Sequence, residues 1–344
     1  MGVRDILGRQ DADATTAALT GIAEALVKQV VALELTWLGG RLGRPTTSSA
    51  EVAGPVVLAM GKFGGREMNY ASDVDVIFLY DHDGATAPGG RRTGGTSNAH
   101  FFGELAQRTM RVFNAFGPQG RLYEMDSRLR PSGRSGPAAI SLDEFARYVA
   151  ADGPAAIWER QALVKARAVV GSPAAVARVE GIVEAATFGR VWSAADVEAI
   201  RQMRFRIEEG AKPTNLKRGP GGVVDIEFAA QMLQLVHGGR EPRLRTTGTL
   251  PALVALRDCG VIAPERFAFL ERSYRMLRSI EGRLRLLAAA ARHDFPESPA
   301  ERRTLAHLLG YPDPESLVAD VHDTTTRVRG EFAAIFDDTV RSLA

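Results

Sequence analysis

Two aspartates one residue apart, Asp73 and Asp75, open the apolar run Val74–Tyr80. On a strand, residues two apart share a face, so their carboxylates project together while Val74 and Val76 point into the core. Side-by-side carboxylates repel, and burial raises the cost. A chain keeps such a pair where a cation neutralises it, and hard oxygen ligands select Mg²⁺ or Mn²⁺, which retain water and also bind phosphates. A third carboxylate lies in Tyr123-Glu124-Met125-Asp126-Ser127-Arg128-Leu129-Arg130. Read as a strand, this segment puts Asp126, Arg128 and Arg130 on one face. Paired beside the first strand, it would bring Asp126 to Asp73 and Asp75. Three carboxylates can hold two metals, one activating an attacking oxygen and the other steadying a leaving pyrophosphate. Arg128 and Arg130 would then lie near the same mouth, suited to bidentate phosphate contact.

Upstream stands Gly61-Lys62-Phe63-Gly64-Gly65. Gly64 and Gly65 can let backbone N–H groups approach a phosphate without a Cβ clash. The turn is neither a Walker A loop nor a Gly-x-Gly-x-x-Gly fingerprint. An Asp-x-Asp alone is often a solvated turn. The Gly-Gly before it and Asp126 after it set this one apart.

These residues need elements to hold them. Residues 12–40 show apolar residues at a 3.6 period and predict a helix. A Gly, Pro, Thr and Ser-rich break covers 40–54, and strands are predicted at Val56–Met60 and Val74–Tyr80. Residues 81–96 read as a Gly-rich loop, a candidate lid or a plain connector. Ser97 caps a helix to Phe116, Arg121–Leu129 reads as the third strand, and Ser141 with Glu144 opens a helix over 142–151. From about residue 173 the pattern is helical almost throughout. The expected organisation is an N-terminal helical segment (1–50), a mixed α/β domain (51–172) and an all-helical domain (173–344).

Composition narrows the class. The 344 residues are 45% hydrophobic and 24% charged, which suits a globular chain, and the formal net charge is +2. That balance, with no basic stripe interleaved with aromatics, argues against nucleic acid as a partner. One cysteine, Cys259, excludes a disulfide framework, and the six histidines lack zinc-site spacing. The apolar stretches read as too short to span a bilayer and the N-terminus does not resemble a signal peptide, so no membrane partner and a cytoplasmic location are expected.

A Gly-Gly turn, an Asp-x-Asp strand and a third Asp resemble the nucleotidyltransferase superfamily typified by polymerase beta. The wording is more specific. GKFGGREMNYASDVDVIFLYD, YEMDSRLRPSGRSGP, WERQALVKARAV and NLKRGPGGVVDIEFAAQMLQL, in that order, are similar to the glutamine synthetase adenylyltransferase and adenylyl-removing family across roughly residues 55–290. The resemblance implies an α+β fold, a polymerase-beta-like domain with a small mixed sheet followed by a helical bundle. It implies ATP as substrate with Mg²⁺ or Mn²⁺, AMP transfer to a tyrosine of glutamine synthetase, and regulation by a PII signalling protein.

Family members carry two such domains, one adding AMP and one removing it by phosphorolysis, and this chain is long enough for one. The opening VRDILGRQDADATTAALTGIAEALV resembles the stretch before the adenylylating domain, which favours addition; removal is the alternative. A non-catalytic nucleotide- or PII-binding module is a further one. By the family pattern Asp73 and Asp75 match the metal-binding pair, Asp126 the third carboxylate, and Gly64 and Gly65 the triphosphate turn. Asp225 and Glu227, after the Gly-Pro-Gly-Gly turn at 219–222, match a helical-part signature. One of them would reach back toward the nucleotide, or both would cap or pair with nearby arginines. Lys217 would contact phosphate or stay solvated. ATP is expected in a cleft between the two parts.

Other features have plainer readings. Arg275, Arg278, Arg285 and Arg292 recur at helical spacing, as a basic docking face or as a face paired with Glu271 and Glu281. Trp158 is expected in the core, Glu159 paired with an arginine, and Cys259 as an inert core thiol.

Overall fold

The computed structural model describes every residue except 1, 7–11, 48, 88–94, 119 and 289–290. The central part of the proposed lid therefore lies outside the described residues. The chain forms two compact units. One comprises Ala17–Met68 and Ser72–Gly189, the other Met1–Thr16, Asn69–Ala71 and Arg190–Ala344. The change of unit falls after Gly189, so the helix over residues 173–188 belongs with the α/β part.

In chain order the first elements are the short helix α1 (Gly2–Ile6), the long helix α2 (Ala12–Leu42) and strands β1 (Pro45–Thr46) and β2 (Pro55–Ala59). The single helical turn α3 (Gly61–Gly64), β3 (Val74–Tyr80), β4 (Ala85–Thr86), α4 (Asn98–Asn114) and β5 (Met125–Asp126) follow. Then come β6 (Ala139–Ser141), α5 (Leu142–Val149), α6 (Ile157–Ala162), β7 (Arg167–Val170) and α7 (Pro173–Phe188). The main sheet has the order β5-β3-β2-β7, and β6 also pairs with β3. β2 runs antiparallel to β3 and β7, while β5 and β6 run parallel to β3, so the sheet is mixed.

Helices cover both faces of the sheet. Val74, Val76, Phe78 and Tyr80 pack with Val27, Val31, Phe101 and Phe102 of α2 and α4. Ile77 and Leu79 pack with Phe145, Val149 and Val179 of α5 and α7. β3 is therefore an apolar run with no solvated face along most of its length. Asp75 lies on the Ile77 side, at the end of the strand where that cover stops. Ser97 caps α4 by accepting from His100 N, and Ser141 caps α5 by accepting from Glu144 N.

Several expectations are corrected. The third strand shrinks from Arg121–Leu129 to Met125–Asp126, because the chain turns at Ser127 and Arg130 braces that turn. β6 and β7 were not anticipated; they are too short to show a period. Trp158 is 38% exposed, and its neighbour Glu159 accepts from Tyr148 Oη and Ala156 N, not from an arginine. Of Trp158, Glu159 and Arg160 it is Arg160 that is buried, and it donates to the carbonyls of Ala150 and Gly153. Finally, α2 has a window of mean hydropathy 1.4 and is, by length and composition, able to cross a membrane. Ala23, Val27, Val31 and Leu38 on α2 pack into the core of the α/β unit.

The second unit is helical: α8 (Ala194–Glu208), α9 (Val223–His237), α10 (Thr249–Asp258), α11 (Pro264–Ala288), α12 (Pro299–Leu309) and α13 (Pro314–Leu343). α9 is buried along nearly its whole length and forms the centre. Cys259 caps α10 at intermediate exposure, less buried than a core thiol.

Candidate active site

The turn between β2 and β3 is built around one carboxylate. Gly61 has φ +52°, and a Cβ there would lie 2.7 Å from Asp75 Oδ2, so glycine is required on both conformational and steric grounds. Met60 N donates to Asp75 O at 2.9 Å, which ties the turn to the start of β3. Gly64 has a different reason from the one expected. Its Cβ would fall 1.9 Å from Lys165 O, so it permits close backbone packing. Its N–H donates to Met60 O, and that of Gly65 to Gly61 O, so both are spent within the turn and not held out for a phosphate.

Asp75 and Asp126 are Cα partners in the β3–β5 register. Residues paired in register on neighbouring strands share a face, so the two carboxylates are neighbours. Asp73, exposed, immediately precedes β3. A two-residue strand is weakly held by its ladder, and here a side chain helps. Asn114, the last residue of α4, donates Nδ2–H to Met125 O at 3.2 Å and accepts from Met125 N at 3.1 Å. Sequence reading missed Asn114; a lone Asn at a helix end gives no signal of a partner eleven residues on.

Asp126 is fully engaged. Its Oδ1 accepts from the backbone N of Arg128 at 2.8 Å and its Oδ2 from Arg128 Nε at 2.6 Å. Burial pushes the Asp126 carboxyl up, but the hydrogen bonds and charge of Arg128, aided by Arg134, prevail and hold it below its ordinary value. Arg128 is pushed the other way by its bond to Asp126 and by the charges of Asp126, Asp75 and Asp73. One guanidinium thus feels all three carboxylates.

Arg130 does not join it at the mouth. It donates to Ser127 O at 3.0 Å, Ser127 Oγ at 2.8 Å and Gly136 O at 3.3 Å, bracing its own loop. The early end of β5 frees Arg130 from the strand alternation that would have aligned it with Arg128.

Among the described residues no three His, Cys, Asp or Glu side chains stand close enough, as arranged, to hold a metal ion. The donor chemistry fits a hard divalent cation all the same. Asp73, Asp75 and Asp126 offer oxygen only, and a half-exposed arginine, Arg128, is a cation that interacts with all three.

Lys217, Asp225 and Glu227 belong to the helical unit. Asp225 is fully buried between Arg204 and Arg329 and accepts from Gly221 N at 2.8 Å. Burial pushes its carboxyl up, against the pull of both arginines. Glu227 accepts from Tyr274 Oη at 3.3 Å. Asp225 therefore takes the arginine-pairing role that was the alternative to nucleotide contact, while Glu227 meets a tyrosine. Gly221 packs so closely on α13 that a Cβ would lie 1.8 Å from Thr325 O, so the Gly-Pro-Gly-Gly turn has a packing role. Lys217 is half-buried; burial lowers the pKa of His293, and the Lys217 charge acts in the same direction. Arg275, Arg278 and Arg285 of α11 are paired: Arg275 binds Glu271 and Asp13, while Arg278 and Arg285, themselves buried, bind buried Glu281.

Residues 1–182 match the profile of the glutamate-ammonia ligase adenylyltransferase family, and residues 195–336 that of the GlnD PII-uridylyltransferase family. Relatives named bifunctional glutamine synthetase adenylyltransferase/adenylyl-removing enzyme include that of Burkholderia pseudomallei, 35% identical over 97% of this chain and 37% of its own length. That of Xanthomonas campestris pv. campestris strain ATCC 33913 is also 35% identical, over 99% of this chain and 36% of its own length. The chain spans little more than a third of the curated relatives it matches. On the match over residues 1–182, the chain belongs to the glutamate-ammonia ligase adenylyltransferase family.

Proposed function

We propose that this chain is an adenylyltransferase module that moves AMP from ATP to a tyrosine hydroxyl of glutamine synthetase. The observation that carries the reading is Asp75 in register with Asp126 on the next strand, with Asp73 just ahead of them. These three residues would hold Mg²⁺ or Mn²⁺. The bound cation supplies charge neutralisation at the phosphates and a lowered pKa for the attacking hydroxyl.

The chain's own residues do the rest. Asp126, held below the ordinary carboxylate range, is ionised at neutral pH and suits a ligand better than a general base. Gly61 leaves room for the Asp75 carboxylate. Arg128 offers a planar fork to the nucleotide's phosphates. The tyrosine oxygen attacks the α-phosphorus in line and its O–P bond forms as the bridging α–β P–O bond breaks. Pyrophosphate leaves with the electron pair, and the hydroxyl proton passes to solvent. Positioning and charge neutralisation account for most of the rate. A PII protein as regulator and a cytoplasmic location belong to the same reading.

Asp75→Asn tests it. AMP transfer from radiolabelled ATP to glutamine synthetase is expected to vanish with the circular dichroism unchanged; retained transfer overturns the assignment. The relatives' names carry both adenylyltransferase and adenylyl-removing activities, so the reverse direction is the second reading. In it phosphate attacks the tyrosine–AMP bond and ADP leaves. Incubating the chain with adenylylated glutamine synthetase and phosphate separates the two: ADP release supports removal.

A further inference from the structure

Arg128 is paired with a carboxylate that a divalent cation would also draw on. Its guanidinium sits on Asp126 Oδ2 and its charge acts on Asp75 and Asp73 as well. A hard cation drawing on Asp126 and Asp75 must take over oxygen that Arg128 now holds. The two cations compete for one anionic cluster.

The local construction separates what can move from what is fixed. The Arg128 side chain is 59% exposed on a flexible stem, whereas that of Asp126 is 16% exposed. The backbone on either side is tied down. Arg130 fastens the loop to Ser127 and Gly136, and Asn114 fastens Met125. Asp126 Oδ1 is held by the Arg128 backbone N–H, a bond that survives if the guanidinium swings away. Departure of the side chain therefore leaves the carboxylate in place and uncovers Oδ2.

A guanidinium expelled from a carboxylate carries its fork intact, and that fork matches a phosphate as well as it matched the carboxylate. We propose that Arg128 is an exchangeable counter-ion: it closes the carboxylate cluster when no metal is bound, yields Asp126 to the divalent cation, and transfers its fork to a phosphate of the incoming nucleotide. This rests on the nucleotidyl-transfer reading of the site. Its consequence is coupling. Metal alone must displace a resident cation and so binds weakly. Metal with nucleotide gives the displaced arginine a new anion and binds well.

The test uses the full chain and reads binding, not turnover. Mn²⁺ alone is titrated by electron paramagnetic resonance against wild type, Arg128→Gln and Asp75→Asn; a non-hydrolysable ATP analogue is then titrated by calorimetry at saturating Mn²⁺. With the competing cation removed, Arg128→Gln is expected to tighten Mn²⁺ alone by about fivefold. The same variant should weaken the analogue by roughly tenfold. Arg128→Lys keeps the charge without the fork, so it should leave Mn²⁺ alone near wild type and still weaken the analogue. Mn²⁺ affinity unchanged or lower in Arg128→Gln, while Asp75→Asn abolishes binding, overturns the exchange and leaves the site reading standing. Mn²⁺ bound equally by Asp75→Asn overturns the site reading itself.

Discussion

Each unit of this protein holds an aspartate–arginine pair, and the two pairs have opposite characters. In the α/β unit Asp126 meets Arg128 across one turn, with the arginine half in water. In the helical unit Asp225 meets Arg204 with both side chains 0% exposed, and Arg329 closes the other side. Solvent decides the difference. Near water, burial raises the Asp126 carboxyl, but the combined hydrogen bonds and charge of Arg128 outweigh it and hold Asp126 below its usual range. Deep in the bundle, desolvation outweighs two arginines and Asp225 is pushed up. The first pair can be exchanged for another cation. The second is a fixed brace that holds the Gly219–Gly222 turn to α8 and α13 through Gly219 O and Gly221 N.

The comparison can be broken most forcefully at Arg204. Arg204→Ala removes the fully buried partner of Asp225, leaves Arg329 alone of the two arginines, and should cost about 3–5 kcal/mol, read as a fall in the midpoint of urea unfolding. Arg128→Ala should cost about 0–1 kcal/mol in the same assay. Equal losses would erase the distinction.

Gly61→Ala is the next largest effect. It forces a left-handed φ on alanine, at about 1–2 kcal/mol, and drives a methyl into the Asp75 carboxylate. Mn²⁺ binding should fall with it; stability lost without any loss of Mn²⁺ would detach Gly61 from the site. Asn114→Ala is smaller, about 1 kcal/mol, and should weaken Mn²⁺ binding by loosening Met125–Asp126. Normal metal affinity in that variant would show that the ladder alone holds β5.

The finest test is pH. Because Asp126 is held below its unfolded value, its contribution is present above the ordinary carboxylate range and is lost as acid takes the protein through the lower folded value. Asp225 has the reverse sign. Its contribution declines as pH rises from the ordinary carboxylate range through its raised folded value. Carbon-detected NMR of the aspartate carboxyls should show Asp126 moving up in Arg128→Gln while Asp225 stays. Joint movement would mean that the two pairs are not independent.

Local patterns carried part of the story. The long apolar period of α2, the runs of β2 and β3, and the Ser97 and Ser141 caps were legible because each depends on residues within a turn or two. The spacing of Asp73 and Asp75 was legible for the same reason. The membrane-capable hydropathy of α2 shows only over a long window, because Glu24, Lys28 and Glu34 divide the helix into short apolar runs. β6 and β7 were too short to announce themselves.

What the sequence determined by itself is the inventory: two carboxylates at the start of an apolar strand, a third near two arginines, glycines in between, and the family those motifs resemble. Tertiary structure decided what each member does. Only the β3–β5 register puts Asp75 beside Asp126. Only the early turn at Ser127 sends Arg130 into its own loop and leaves Arg128 with the carboxylates. Only the packing of α8, α9 and α13 sends Asp225 to Arg204 and Arg329. The physical reason is common to all three. Spacing fixes direction along a single element, whereas the partner and the solvent a charge meets come from segments distant in the chain, and those set its energy.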